Sequence, residues 1–199
     1  MGTSKQLLDW ARAQLGTVGG SKYWYQVYGW SGNGLPWCAV FCSAALQATD
    51  TKCNYFPNTL AFDKRDMDRI GSAWVDKYKL TPGCILSFSW DHDGTGDHVG
   101  IVEKVLGDGV YQTIEGNVSD SVGRRTRYAA DIIGGIMPQY DKPVFTDVDS
   151  STPHYEDIVW MKANGISKGY PDGTYRPNSA LTRADAAAFL HRLYDLIER

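Results

Sequence analysis

The spacing of apolar positions changes twice along this chain and marks three regions. In the first region, up to about residue 46, apolar residues recur at helical spacing in two runs separated by a loop. Leu7 to Leu15 form the apolar face of a first predicted helix, which Thr3 or Ser4 caps and Gly16 ends. A Gly- and aromatic-rich loop is predicted over 21–36, and the mostly apolar run after Pro36 predicts a second helix.

The middle region is typical of strands. Residues 84–90 form a short β-prone run, and 98–105 and 110–115 flank Gly-Asp-Gly at 107–109, which predicts a hairpin. Two more strands are predicted at 124–128 and 132–137. Residues 58–79 have only a weak helical pattern, which Pro82-Gly83 ends. Helices followed by antiparallel strands indicate an α+β domain over about 3–140.

The third region begins after a linker, predicted at 141–144, which contains Pro143 and follows Pro138. Residues 145–199 predict a small, mainly helical module with helices at about 155–163 and 183–197. Thr182 is placed to cap the second helix, with Asp185 three residues later.

Composition excludes several classes of protein. The chain has 199 residues, 43% of them hydrophobic, and a net charge of −3, so it has core-forming residues but no dominant basic patch for nucleic acid. The one basic cluster, 124–127, is interpreted as a solvated strand edge. No apolar run approaches the ~18 residues of a membrane span, and residues 1–9 lack the apolar core of a signal peptide. We therefore expect no membrane partner, and a protein made in the cytoplasm or a secreted one whose signal has been removed.

The four cysteines form no Cys-x-x-Cys pair and no zinc-like spacing. A disulfide framework is not expected, although a bridge between Cys53 and Cys84 stays open. Cys42 lies one turn after Cys38 and is predicted to be a small core residue.

Cys38 begins the apolar helix predicted after Pro36. The partial positive charge at a helix N-terminus favours thiolate, the nucleophilic form of cysteine. A cysteine hydrolase also needs a base and a group that orients the base. A single histidine is more often structural, but His98 begins a strand whose hairpin pairing places it opposite residues near 117. Glu115 and Asn117 are spaced by two and share a face of that second strand, so either can reach the imidazole.

Three motifs together resemble a CHAP domain, a family of papain-like amidohydrolases and peptidases that cut peptidoglycan. They are Pro-Trp-Cys-Ala-Val-Phe at 36–41, Gly-Asp-His-Val-Gly-Ile-Val at 96–102 and Ile-Glu-Gly-Asn at 114–117. The resemblance implies a papain-like fold of the NlpC/P60-CHAP type, with N-terminal helices packed on an antiparallel sheet. It implies that Cys38 is the nucleophile, His98 the base, Glu115 the residue that orients His98, and Asn117 an auxiliary polar group.

No cofactor is required by this resemblance, although some CHAP domains bind calcium. Asp91, Asp93 and Asp97 lie in an acidic, Gly-rich segment that offers oxygen ligands at alternate positions. The segment lacks the closing Glu of an EF-hand loop, so a turn stabilised by Asp and Gly is the favoured interpretation and calcium the alternative.

The last region is similar to an S-layer homology (SLH) module. The similarity rests on Phe-Thr-Asp-Val at 145–148, the segments 160–169 and 172–178, and Leu-Thr-Arg-Ala-Asp at 181–185. It implies docking on a secondary cell-wall polymer, with Thr182 and Arg183 at the family's Thr-Arg motif. Alternatively, Arg183 only stabilises the module's own turns. Such modules usually occur in threes and one is present, so a homotrimer with avidity or a plain interaction domain are further alternatives.

These resemblances predict a peptidoglycan hydrolase that cleaves a wall amide with a cysteine nucleophile. The protein is then either an N-acetylmuramoyl-L-alanine amidase or an endopeptidase that cleaves an amide of the stem peptide or cross-bridge. The missing signal peptide favours a phage or prophage endolysin released by a holin. The alternatives are a non-catalytic wall-binding or oligomerising protein on an inactive CHAP scaffold and a transferase on a papain-like scaffold, for which no acceptor is indicated.

Overall fold

The computed structural model describes residues 2–52, 73–140, 144–149 and 152–198. The chain divides into two compact units, Met1–Asp141 and Lys142–Arg199. The predicted linker lies outside the described residues except for Val144, as does Cys53. Cys84 is a buried free thiol.

Three helices begin the first unit: α1 (Ser4–Ala13), α2 (Ser21–Tyr28) and α3 (Cys38–Ala48). Thr3 is the N-cap of α1, since its hydroxyl accepts the amide N–H of Gln6 at 3.2 Å. The Gln6 side chain accepts the Thr3 amide N–H at 2.8 Å, which completes a capping box. The predicted start of the first helix is therefore confirmed.

Helix α2 corrects the prediction of an irregular loop over 21–36. Its C-cap is Gly29, at a left-handed φ of 77°, a conformation that glycine adopts without strain. Tyr23 and Trp24 are buried, and the Tyr23 ring stacks on Trp37 at a centroid distance of 5.5 Å. Packing of these aromatics, rather than a clear apolar period, accounts for the helix.

A six-stranded antiparallel sheet completes the first unit, with strand order β1-β6-β2-β3-β4-β5. The predicted α+β class is confirmed. The strands are β1 (Ala73–Val75), β2 (Ile85–Phe88), β3 (His98–Gly107), β4 (Val110–Val118), β5 (Ser121–Tyr128) and β6 (Ile132–Met137).

Strand β1 corrects the end of the weak helix predicted over 58–79. Trp74 in β1 pairs with Ile136 in β6, so tertiary pairing overrides the local pattern. The part of that prediction that falls on 53–72 lies outside the described residues.

The two faces of the sheet enclose separate apolar clusters. Helix α3 is buried at every position from Cys38 to Leu46 and packs on the face that carries Val99, Ile101 and Ile114. A Cβ at Gly116 in β4 would lie 2.5 Å from the Cβ of Phe41, so glycine permits this close approach. The opposite face buries a second cluster: Leu80, Cys84, Leu86, Phe88, Val102, Tyr111 and Ile132.

The second unit contains α4 (Tyr155–Ala163) and α5 (Arg183–Ile197), close to the predicted helices. Its core is small and consists of Phe145, Val148 and Ile158. The Asp147 carboxylate accepts the amide N–H groups of Tyr175 and Arg176, both at 2.7 Å, and so ties the start of the unit to its middle turns. Among the described residues, no helix is both long and apolar enough to cross a bilayer.

Candidate active site

Cys38 is the first residue of α3, as the sequence predicts, and is 4% exposed. Trp37 is the N-cap, so Pro36 lies before the helix rather than in its first turn. The Trp37 indole Nε1 donates to Asp120 Oδ1 at 3.2 Å, which fixes the residue ahead of the thiol. The first intrahelical bond of α3 runs from the Phe41 N–H to the Trp37 carbonyl, so the backbone N–H groups before Phe41 have no partner within the helix.

His98 is the first residue of β3 and pairs with Phe88 at the end of β2. Its ring stacks on Phe88 and Trp90, with centroid distances of 5.7 and 6.2 Å. These rings limit the orientations of the imidazole, whose side chain is 13% exposed. Nε2 lies 3.0 Å from Glu115 Oε2, and the Cys38 thiol lies close enough to the ring to raise the pKa of the imidazole. The structure therefore brings together the predicted thiol, imidazole and carboxylate.

Glu115 is fully buried in β4, and both of its carboxylate oxygens accept hydrogen bonds. Oε2 accepts from His98 Nε2 and from Arg127 Nη2, the latter at 2.6 Å. Oε1 accepts from Arg127 Nε at 2.8 Å and from the Thr113 hydroxyl at 2.5 Å. A buried carboxylate is costly unless it is paired, and here its pairing is extensive.

Hydrogen bonds outweigh burial for both titratable partners. Burial lowers the pKa of His98, but its bonds with Cys38 and Glu115 raise that pKa to about 9. Burial raises the pKa of Glu115, but its bonds with Arg127 and His98 lower that pKa to about 2. At neutral pH the pair is therefore an imidazolium and a carboxylate.

Asn117 lies apart from this cluster of hydrogen bonds. It has a left-handed φ of 61°, and the β4–β5 register shifts between Glu115 and Val118. The alternation of side chains along β4, which predicted that Asn117 and Glu115 share one face, is thus interrupted between these two residues. Asn117 instead lines a cavity of about 300 Å³ next to the N-terminal end of α3, with Trp37 and Asp120.

Arg127 and Thr113 are site residues that the sequence analysis missed. The basic cluster at 124–127 does lie on an edge strand, but it is not merely solvated. Arg127 binds Glu115, and Arg124 binds the buried Glu103, at 2.5 Å from Nε to Oε2. The available signal was an arginine-rich strand predicted next in the chain after two strands that each carry one glutamate, Glu103 and Glu115.

The segment around Asp91, Asp93 and Asp97 forms a turn rather than a group of converging ligands. Asp93 Oδ1 accepts the Thr95 N–H at 2.6 Å, and Asp97 Oδ2 accepts the Trp90 N–H at 2.7 Å. In the described part of the chain, no three His, Cys, Asp or Glu residues are arranged to hold a metal ion. The segment therefore has the turn geometry that its Asp and Gly residues predict, and calcium binding stays a prediction.

In the second unit, the Thr182 hydroxyl caps α5 by accepting the Asp185 N–H at 3.0 Å. Arg183 is exposed at the first position of that helix. A cavity of about 440 Å³ in the same unit has three cationic lining residues that the sequence analysis did not single out: Lys168, Arg176 and Arg192. The Arg176 guanidinium lies 4.1 Å from the ring centre of Tyr170 and pairs with Asp172 at 2.8 Å.

Two family models match the chain. The model of the CHAP domain matches residues 30–117, and that of the S-layer homology domain matches residues 144–187. The first match contains Cys38, His98 and Glu115, and the second contains Thr182 and Arg183.

Among known proteins, Outer membrane protein SlpA of Thermus thermophilus is 43% identical over 54 residues, which are 27% of this chain and 6% of SlpA. The match thus spans only a small part of that relative. Among solved structures, the crystal structure of Ly7917 has 18% identity and a TM-score of 0.38, over 68% of this chain and 62% of that one. The structure of Ly7917 with the hydrolyzing product of MDP gives 19% identity and the same TM-score, over 68% and 63%.

Proposed function

We propose that this chain, with a CHAP domain at 30–117 and an S-layer homology domain at 144–187, is a peptidoglycan hydrolase with a cysteine nucleophile. The observation that carries the proposal is the contact of one imidazole with both the Cys38 thiol and the buried Glu115 carboxylate. A nucleophile, a base and an orienting group in contact are what acyl transfer requires.

The proposed reaction is hydrolysis of an amide through a thioester. Because Glu115 accepts a hydrogen bond from His98 Nε2, Nδ1 is free to exchange a proton with the sulfur. The Cys38 thiolate adds to the amide carbon, the C–N bond breaks, and His98 gives its proton to the leaving amine. Water then attacks the thioester and passes a proton to His98, which releases a carboxylate and regenerates the site.

The start of α3 offers a site for the oxyanion of each tetrahedral intermediate. The Cys38 backbone N–H belongs to the first turn, where amides have no partner within the helix. Such a donor contributes about 3–4 kcal/mol to the transition state in other acyl-transfer enzymes. Asn117 is proposed as an auxiliary polar group on the cavity beside this turn.

We further propose that the second unit binds an anionic cell-wall polymer. Arg183 is exposed, and a guanidinium binds carboxylates through two parallel hydrogen bonds. Thr182 acts indirectly, since its hydroxyl is used to cap α5. The cationic cavity with Lys168, Arg176 and Arg192 offers a second surface for the same polymer.

The test is mass spectrometry of wall fragments after digestion by the wild type, Cys38→Ala and the control Cys42→Ala. Cys42 is buried one turn further along α3, so its variant is expected to keep the wild-type fragments. Cys38→Ala is expected to release none. A free lactyl group would identify an amidase, and new termini within the stem or bridge an endopeptidase. Identical fragments from wild type and Cys38→Ala would refute the role of Cys38, whereas intact wall after wild-type treatment would favour the non-catalytic alternative.

A further inference from the structure

Arg127 is attached to the site by two kinds of contact. Its guanidinium donates two parallel hydrogen bonds to Glu115, from Nε to Oε1 and from Nη2 to Oε2. Its guanidinium carbon also lies 5.0 Å from the ring centre of Phe88 and 4.8 Å from that of Trp90, the two rings on which His98 stacks. Arg127 and His98 therefore share both a carboxylate and an aromatic surface.

The shared carboxylate has little rotational freedom. Oε2 is bonded to both Arg127 and His98, while Oε1 is bonded to Arg127 and to the Thr113 hydroxyl. Rotation of the carboxylate would break the parallel pair of bonds with the guanidinium. Oε2 therefore stays on the His98 side, and Nε2 of His98 keeps its hydrogen-bond acceptor.

The charge of Arg127 does not change during the proposed reaction, whereas that of His98 does. When His98 has given its proton to the leaving amine, Glu115 would be a buried carboxylate with no cation if Arg127 were absent. Arginine remains charged at every working pH, so it keeps Glu115 ionised in both states of the imidazole.

We propose that Arg127 is a positioning residue that fixes the buried Glu115 carboxylate against His98 and thereby orients the imidazole toward Cys38. The proposal rests on the proposed cysteine-hydrolase function and adds a fourth member to its chain of contacts. Arg127 acts through Glu115 rather than on the substrate.

The experiment compares Arg127→Gln, Arg127→Lys and the control Arg125→Gln. Arg125 is an exposed arginine on the same strand whose side chain bonds to the Arg124 carbonyl. For each variant, kcat and KM for release of soluble fragments from purified peptidoglycan are measured against pH. The rate of Cys38 alkylation by iodoacetamide, followed by peptide mass spectrometry, gives a second profile that needs no substrate.

Arg127→Gln is expected to lower kcat about 10- to 100-fold, the loss that corresponds to a charge-assisted hydrogen bond, and to leave KM within about 2-fold. In both profiles, the acidic limb, where the rate falls at low pH, should shift to higher pH by about one unit or more. The reason is that Glu115 protonates more easily without its cation. Guanidinium ion should restore part of the activity of Arg127→Gln. Arg127→Lys, which keeps the charge without the fork, should be intermediate, and Arg125→Gln should match wild type.

If Arg127→Gln kept the kcat and the acidic limb of the wild type, the proposal would be overturned. It would also be overturned by a loss of kcat with an unmoved limb in both profiles and no response to guanidinium, since that pattern indicates a structural role alone. If Cys38→Ala hydrolyses wall as wild type does, the proposed function fails instead, and the alkylation profiles still decide the role of Arg127.

Discussion

At the residue scale, the site is a row of four side chains, each in contact with the next. Arg127 contacts Glu115, Glu115 contacts His98, and His98 contacts Cys38. The pKa of His98 is raised to about 9 and that of Glu115 is lowered to about 2. The proposed reaction requires a protonated His98 beside an ionised Glu115. We therefore expect activity to fall as the pH rises through about 9, where His98 loses its proton. Protonation of Glu115 should limit activity only near pH 2.

Replacing Glu115 with Gln tests the alkaline limit. The amide still offers a hydrogen-bond acceptor but no charge, so the imidazolium should lose its proton at a lower pH. We expect the alkaline limb of kcat/KM for wall hydrolysis to move down by about 1–2 pH units. NMR titration of the His98 ring would measure the same shift directly.

Glu103→Gln is the matched control for Glu115→Gln. Glu103 is also a buried, arginine-paired carboxylate, but its partners are Arg12 and Arg124. This variant should keep the wild-type alkaline limb, whatever it does to stability. An equal shift in both variants would show that the net charge of the protein, rather than the contact of Glu115 with His98, sets the alkaline limit of activity.

At the element scale, the sequence predicts elements whose signals are local. Thr3 and Thr182 cap helices as predicted, and Gly-Asp-Gly at 107–109 connects the predicted hairpin. Helix α2 and strand β1 were missed because packing of Tyr23 and Trp24 and pairing with β6 determine them. The contact of Arg127 with Glu115 was missed for the same reason: it depends on how β4 and β5 pair, and no single strand shows it.

The close approach of β3 to the Glu115 side chain depends on Gly100. A Cβ at this position would lie 2.6 Å from Glu115 Cγ, deep in the sheet. Gly100→Ala should therefore displace the carboxylate from His98 and lower kcat about tenfold or more, with a loss of about 1–3 kcal/mol in the free energy of unfolding. Kinetics on soluble wall fragments and thermal unfolding would measure the two effects.

Gly107→Ala is the control on the same strand, because nothing lies within 4 Å of a Cβ at that position. Gly107→Ala should leave kcat and the free energy of unfolding close to their wild-type values. Equal activity of the two variants would mean that Glu115 can shift without loss of function, which would weaken the proposed role of its exact position.

At the scale of the whole molecule, the helix α5 has an apolar stripe that the described residues of its own unit do not cover. No residue of α5 is buried. Leu190, Tyr194 and Ile197 follow at helical spacing and are 66%, 60% and 72% exposed. Such a stripe is typical of a helix that packs on a partner, which agrees with the homotrimer given above as one alternative for this unit.

Leu190→Glu tests this assembly because it places a charge in the middle of the stripe. We expect wild type to form trimers at micromolar concentration in analytical ultracentrifugation and Leu190→Glu to remain monomeric. Cosedimentation with purified walls should weaken in parallel, since three linked Arg183 side chains bind more tightly than one. Leu106→Glu, at a residue 52% exposed in the first unit, is the control and should behave as wild type. A wild-type chain that is monomeric at every concentration and still cosediments with walls would contradict the avidity argument, and retention would then belong to the single module.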